Sequence, residues 1–152
     1  MLQCGVTLIE VLVTIVILSF GLLGVAGLLV GGVSNTVASE AATKASQLAA
    51  DMADRIRANP ANALTGSYNT LYATTETVDG TIAKSDLVAW KGALASQLPS
   101  GQGEIGVTSA ANRHIDINVR WNNCLGTLST ADKTSCAGGT AQYRSFTFEV
   151  RL

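Results

Sequence analysis

No charged side chain occurs between Glu10 and Glu40, and the intervening stretch 11–39 holds 29 uncharged residues rich in Leu, Val and Ile. An α-helix of roughly 20 such residues crosses the hydrocarbon core of a bilayer, so the stretch predicts a membrane span or a helix that visits the membrane. Proline is also absent from Met1 to Asn59, so nothing breaks a helix before Pro60. A secretory signal peptide would show a basic n-region, a shorter apolar run and a small-residue cleavage site after it. Here the apolar run starts almost at Met1 and passes without interruption into a polar helix.

Other absences narrow the function. Ten basic and ten acidic residues lie after residue 39, so no basic surplus points to nucleic acid. There is no phosphate-binding glycine loop and no nucleophile elbow. His114 is the single histidine, with no nucleophile or metal-ligand pattern around it. Cys124 and Cys136 have eleven residues between them and His114 ten residues upstream, which leaves out a fourth ligand and a zinc spacing. No metal site and no cofactor is expected, and the chain reads as a structural subunit, not an enzyme.

What is present divides into a helix and a domain. Residues 33–58 are rich in Ala, Ser, Gln and charged helix formers, with Val37, Ala41, Leu48, Met52 and Ile56 spaced as an apolar stripe. Joined to the apolar run, they predict one helix over 6–59, roughly 80 Å long at 1.5 Å per residue. Its first half faces lipid or neighbours and its second half packs on a domain. Gly21, Gly24, Gly27, Gly31 and Gly32 are small enough for close helix approach, and they also read as ordinary membrane-helix glycines.

The remainder suffices for one small domain of roughly 100 residues. Residues 61–80, rich in Thr, Asn and Gly, read as a loop. A second helix capped by Ser85 or Asp86 runs to Leu98, with Leu87, Trp90, Leu94 and Leu98 on one core-facing side. The period then becomes two. Ile115, Ile117, Val119 and Trp121 share one face of a strand, opposite His114, Asp116, Asn118 and Arg120. Phe146, Phe148, Val150 and Leu152 alternate likewise with Ser145, Thr147, Glu149 and Arg151. With a weaker strand over 104–109, the fold class is α+β, an antiparallel sheet whose apolar face covers the N-terminal helix.

Gly5, Val6, Thr7, Leu8, Ile9 and Glu10, followed by VLVTIVILSFGLLGVAGL, resemble the N-terminus of a type IV prepilin. The stretch QLAADMADRIRANP resembles more narrowly the PilV type of minor pilin. Two features depart from the family pattern: the leader MLQCG lacks Lys and Arg, and Val6 stands where Phe is usual. The resemblance implies a pilin-like lollipop. Its parts are a prepilin leader at 1–5, a transmembrane and filament-core helix at 6–33, an amphipathic continuation at 34–59 and a globular periplasmic domain at 60–152.

It further implies cutting between Gly5 and Val6 by a prepilin peptidase, methylation of the new N-terminus, and a low-abundance subunit that helps initiate type IV pili and lies at the tip. The implied partners are that peptidase, other minor pilins, the major pilin and an inner-membrane assembly platform. The implied location is the bacterial inner membrane, then the pilus. Cutting creates an α-amine on Val6, and the amine of one subunit beside Glu10 of another neutralises both charges in an apolar filament core. The alternative is a Glu10 solvated at the membrane interface.

Removing the leader also removes Cys4 and leaves Cys124 and Cys136 as an even pair. A bridge between them suits an exported domain folding in an oxidising compartment and contributes about 3 kcal/mol; two free thiols are the alternative. Cys4 is not read as a lipoprotein acyl site, because no apolar leader precedes it. Three other functions share parts of the pattern. A type II secretion pseudopilin has the same leader logic, although an Asp-rich Ca²⁺ loop is not evident. A tip pilin for adhesion or DNA uptake has a binding surface of its own; DNA binding needs a basic patch, for which Arg113, Arg120, Arg144 and Arg151 are the candidates. A bitopic membrane protein keeps its N-terminus.

Overall fold

The structure, a computed structural model, describes residues 5, 7–109, 111, 113–124 and 142–152. Six elements follow one another: α1 (Leu8–Ala58), α2 (Pro60–Leu64), α3 (Ile82–Gln97), β1 (Gln102–Ser109), β2 (His114–Asn122) and β3 (Tyr143–Arg151). The strands form one antiparallel sheet in the order β1-β2-β3. This is the expected α+β arrangement, a long apolar N-terminal helix on a small antiparallel sheet, consistent with a pilin fold.

Helix α1 runs for 51 residues, about 77 Å at the α-helical rise. At its start the Glu10 and Val11 N–H groups donate to the Thr7 carbonyl at 3.1 and 3.3 Å. At its end Arg55 and Arg57 sit in the last turn, where positive charge suits the helix dipole. Pro60 stops α1 as expected and then occupies the first position of α2, a turn of helix inside the segment the sequence reads as loop. Gly66 closes α2 with a positive φ of 83°. Its N–H bonds Ala63 and the Ser67 N–H bonds Asn62, at 3.1 and 3.0 Å, which is a Schellman arrangement that only a residue tolerant of that φ adopts easily.

The sequence places the cap of the second helix at Ser85 or Asp86, but α3 begins one turn earlier. Thr81 caps it: its hydroxyl accepts the Lys84 N–H at 3.3 Å and donates to Asp79 at 2.6 Å. Leu87, Trp90, Leu94 and Leu98 are buried as their spacing predicts. Trp90 also locks α3 to α1, its indole N–H donating to the Leu48 carbonyl at 2.9 Å.

On the sheet's inner face Ile105, Ile115, Ile117, Val119, Trp121 and Val150 are buried, with Phe146 and Phe148 half-buried beside them. β1 starts at Gln102, two residues before the sequence places it. Of the predicted α1 stripe, Leu48, Met52 and Ile56 are buried, joined by Ala45, Ala49 and Ala53, whose small side chains admit the neighbouring layer. Val37 stays 38% exposed, so packing on the domain starts near Ala41, a turn later than the stripe implies.

The segment between α2 and α3 has no period but is pinned. Lys91 Nζ donates to the Leu71 and Thr74 carbonyls, both at 2.7 Å. The buried Glu76 carboxylate accepts from Lys84 at 2.6 Å and from the Thr70 hydroxyl. Burial pushes the Glu76 carboxyl up, but the Lys84 and Thr70 hydrogen bonds and the two lysine charges outweigh it and hold the group below its ordinary pKa. Thr70 exchanges two backbone hydrogen bonds with Ile105, at 3.0 and 2.9 Å, and so covers the outer edge of β1.

Candidate functional site

The N-terminal segment has the properties of a surface made for an environment other than water. Gly5 is exposed, with nothing within 4 Å of the place a Cβ would occupy. Val6, the residue beyond the expected cut, lies outside the described residues, as do residues 1–4 of the expected leader, with Cys4. From Leu8 to Val33 the large apolar side chains of α1 are 44% to 83% exposed. By length and composition α1 can cross a membrane.

Polar groups along this stretch are satisfied within the helix. Thr14 donates to the Val11 carbonyl at 2.8 Å, Ser19 to Ile15 at 2.7 Å and Thr36 to Gly32 at 3.0 Å, so these hydroxyls need no water. Glu10 differs. It lies exposed in the first turn, and among the described residues no side-chain hydrogen bond or ion pair engages its carboxylate. The positive end of the helix dipole favours an acid there. A carboxylate on an otherwise uncharged apolar cylinder can enter a low-dielectric environment only with a cationic partner or as the neutral acid.

Nothing lies within 4 Å of a Cβ built at Gly21, Gly24, Gly27, Gly31 or Gly32. Among the described residues nothing uses their smallness, which leaves five open notches on the exposed half of the helix.

The other sequence-derived candidates separate. On the exposed face of α1, Asp51 and Asp54 pair with Arg55 and Arg57, at 3.0 and 2.9 Å. Arg55 also reaches Asp86 of α3 at 3.1 Å, and Asp86 accepts the Tyr68 hydroxyl at 2.9 Å. That tie has no spacing signature, since its three members come from different elements. The four arginines do not form one patch. Arg120 lies on the outer face, its guanidinium 3.9 and 4.7 Å from the Tyr72 and Tyr143 ring centres. Arg144 is paired with Trp121 and borders a groove beside α1. Arg151 is six residues along β3 from Arg120's partner Ser145, about 20 Å away at the strand rise.

Cys124 follows β2 with its N–H on the Asn122 side chain at 3.0 Å, while Cys136 lies outside the described residues. On the outer face the sheet register brings His114, Asp116 and Glu149 together, a group invisible in the sequence because Glu149 belongs to a different strand.

Residues 1–26 match the family model described as the prokaryotic N-terminal methylation motif. The comparisons with curated proteins and with solved structures give no match. The matched segment contains Gly5, Glu10 and the start of the exposed apolar helix; it indicates a type IV prepilin-like protein of the pilin or pseudopilin kind, and the motif implies processing by a prepilin peptidase.

Proposed function

We propose that the chain is a PilV-type minor pilin, a non-enzymatic subunit that helps initiate type IV pili and lies at the tip with other minor pilins. The observation that carries this reading is Glu10, the one charge on an exposed apolar helix, five residues after Gly5 within a methylation motif. In this reading residues 1–5 are removed as leader, 6–33 anchor the subunit in the inner membrane and later enter the filament core, 34–59 continue the helix, and 60–152 form a periplasmic domain.

The physical sequence is short. Cleavage after Gly5 frees an amine on Val6, which carries positive charge whether or not it gains one methyl group. Packed beside Glu10 of a neighbouring subunit, it cancels a charge that is otherwise costly in an apolar bundle, and so fixes the axial register. Helix association in lipid lacks a strong hydrophobic drive, so this pair and the glycine notches select the neighbour. The domain stays outside the bundle, where a Cys124–Cys136 bridge fastens the connection between β2 and β3.

The test is the N-terminal mass of the protein recovered from membranes with and without an active prepilin peptidase. A chain beginning at Val6 only when the peptidase is active supports the reading. Retention of residues 1–5 in both backgrounds sinks it. Loss of surface pili in a deletion strain, with protein secretion intact, then separates the pilus role from that of a secretion pseudopilin.

A further inference from the structure

We propose that the outer face of the sheet carries a binding site for a divalent transition-metal ion of the zinc class, with His114, Asp116 and Glu149 as its ligands. The β2–β3 register sets Asp116 directly opposite Glu149, and the two-residue period puts His114 on the same face. His114 Nε2 lies 3.5 Å from Glu149 Oε2 and 3.9 Å from Asp116 Oδ1, and one ligand atom from each residue lies within 4.8 Å of the others. Zinc bonds of about 2.0–2.2 Å at tetrahedral angles place ligand atoms roughly 3.3–3.5 Å apart. The His–Glu edge already has that length, Glu149, whose side chain is 70% exposed, can rotate to shorten its edge to Asp116, and the His114–Asp116 edge of 3.9 Å has to close by about 0.4 Å to reach the tetrahedral separation.

Two further observations point to a cation. Asp116 Oδ1 is buried and has no hydrogen-bond partner among the described residues, while Oδ2 accepts the Thr108 hydroxyl at 2.6 Å. An orphaned buried carboxylate oxygen is unfavourable, and a metal ion satisfies it. Asp116 and Glu149 are also like charges directly opposed across two strands, an arrangement that destabilises a sheet unless something positive lies between. Next to this group Arg151, the register partner of His114, sets one positive charge against the two carboxylates.

The donor set chooses the class of ion. One imidazole with two carboxylates suits Zn²⁺, Co²⁺ or Ni²⁺, whereas Ca²⁺ and Mg²⁺ favour oxygen alone. The Thr108 hydroxyl holds the Asp116 carboxylate in orientation from behind. Three protein ligands leave a fourth position for water or for a donor from another molecule.

The experiment uses the full chain in detergent micelles, stripped with a chelator and titrated with Zn²⁺ by calorimetry, with Co²⁺ as the spectroscopic probe. One ion per chain is expected. Because loss of even an outer-shell partner costs about 10–100-fold, Glu149→Gln and His114→Gln should each weaken binding at least about tenfold, and Thr108→Val about tenfold. Glu149 is exposed, so its variant folds as the parent does and keeps the test independent of stability. Co²⁺ should show visible bands without a thiolate charge-transfer band. Absence of saturable uptake at millimolar Zn²⁺, unchanged affinity in Glu149→Gln, or a thiolate band placing the ion on cysteine would each overturn the proposal.

Discussion

Gly103→Ala probes one of the close approaches in the domain. A Cβ at this position falls inside contact distance of Trp90 Cη2 and Cζ3 and of Leu94 Cδ1. The indole has nowhere to go: Trp90 is 1% exposed and its N–H is fixed on the Leu48 carbonyl of α1. Leu94 is fully buried on the same face. Overpacking a filled core costs about 1–3 kcal/mol, and a clash with a ring held at both ends belongs near 3. At about 3 °C per kcal/mol for a chain of this size, the thermal midpoint should fall by about 10 °C.

The assay is thermal unfolding of the full chain in micelles, followed by near-ultraviolet circular dichroism. Trp90→Phe should itself cost about 2 kcal/mol, through the lost indole hydrogen bond and the smaller ring. It also removes the two ring atoms that the new methyl group meets. In the Phe background Gly103→Ala should therefore cost at least about 1 kcal/mol less than alone. Fully additive costs, or a Gly103→Ala protein with the parent's midpoint, would refute the claim that the indole dictates glycine at this position.

Glu76→Gln should lower stability by about 2–4 kcal/mol, because it removes charge-assisted hydrogen bonds and leaves two lysines without their acid. Since the folded Glu76 pKa lies below its ordinary 4.5, its contribution is complete above that pH and disappears as pH falls through the depressed folded value. The parent should lose more stability than Glu76→Gln in that acid range, and equal losses would contradict the assignment. Asp86→Asn should cost about 1–3 kcal/mol by weakening the Arg55 and Tyr68 contacts, read as a lowered thermal midpoint. Glu10→Gln should leave the domain's midpoint unchanged while sharply reducing the amount of protein in sheared pili on immunoblots. Undiminished incorporation would remove the charge-pair mechanism.

Legibility of the sequence followed the range of the interactions. β2 could be read because every second residue is apolar and each of those residues is buried. The apolar face of α3 was equally plain, but its first turn was not. Thr81 becomes the cap only because Asp79 accepts from its N–H and hydroxyl, a local arrangement that no hydrophobic period marks. The segment before α3 looked like free loop because its order comes from Lys84 and Lys91, both on the following helix. In α1 the sequence stripe overlooked Ala45, Ala49 and Ala53, which are buried for being small where the layers approach. Gly5 and Glu10 were legible as a motif, whereas His114, Asp116 and Glu149 required the strand register. The Cys124–Cys136 bridge involves a residue outside those described and stays an expectation from the sequence.

Helix α1 carries two surfaces built from similar small and branched residues, and they answer to different surroundings. Along residues 45–56 alanines and large apolar side chains have partners within the domain. Upstream, five glycines have nothing described within 4 Å of a Cβ position and the large apolar side chains project from the helix. A glycine in a helix costs about 1 kcal/mol relative to alanine, so five without internal contacts demand compensation from outside the chain. Lipid or neighbouring helices supply it for the apolar side chains, and close packing against another helix supplies it for the notches. That same environment makes a lone carboxylate costly. In the proposed assembly the cleaved N-terminus of a second subunit brings a positive charge to the level of Glu10, and so reconciles the residues that favour burial of this half with the one residue that resists it.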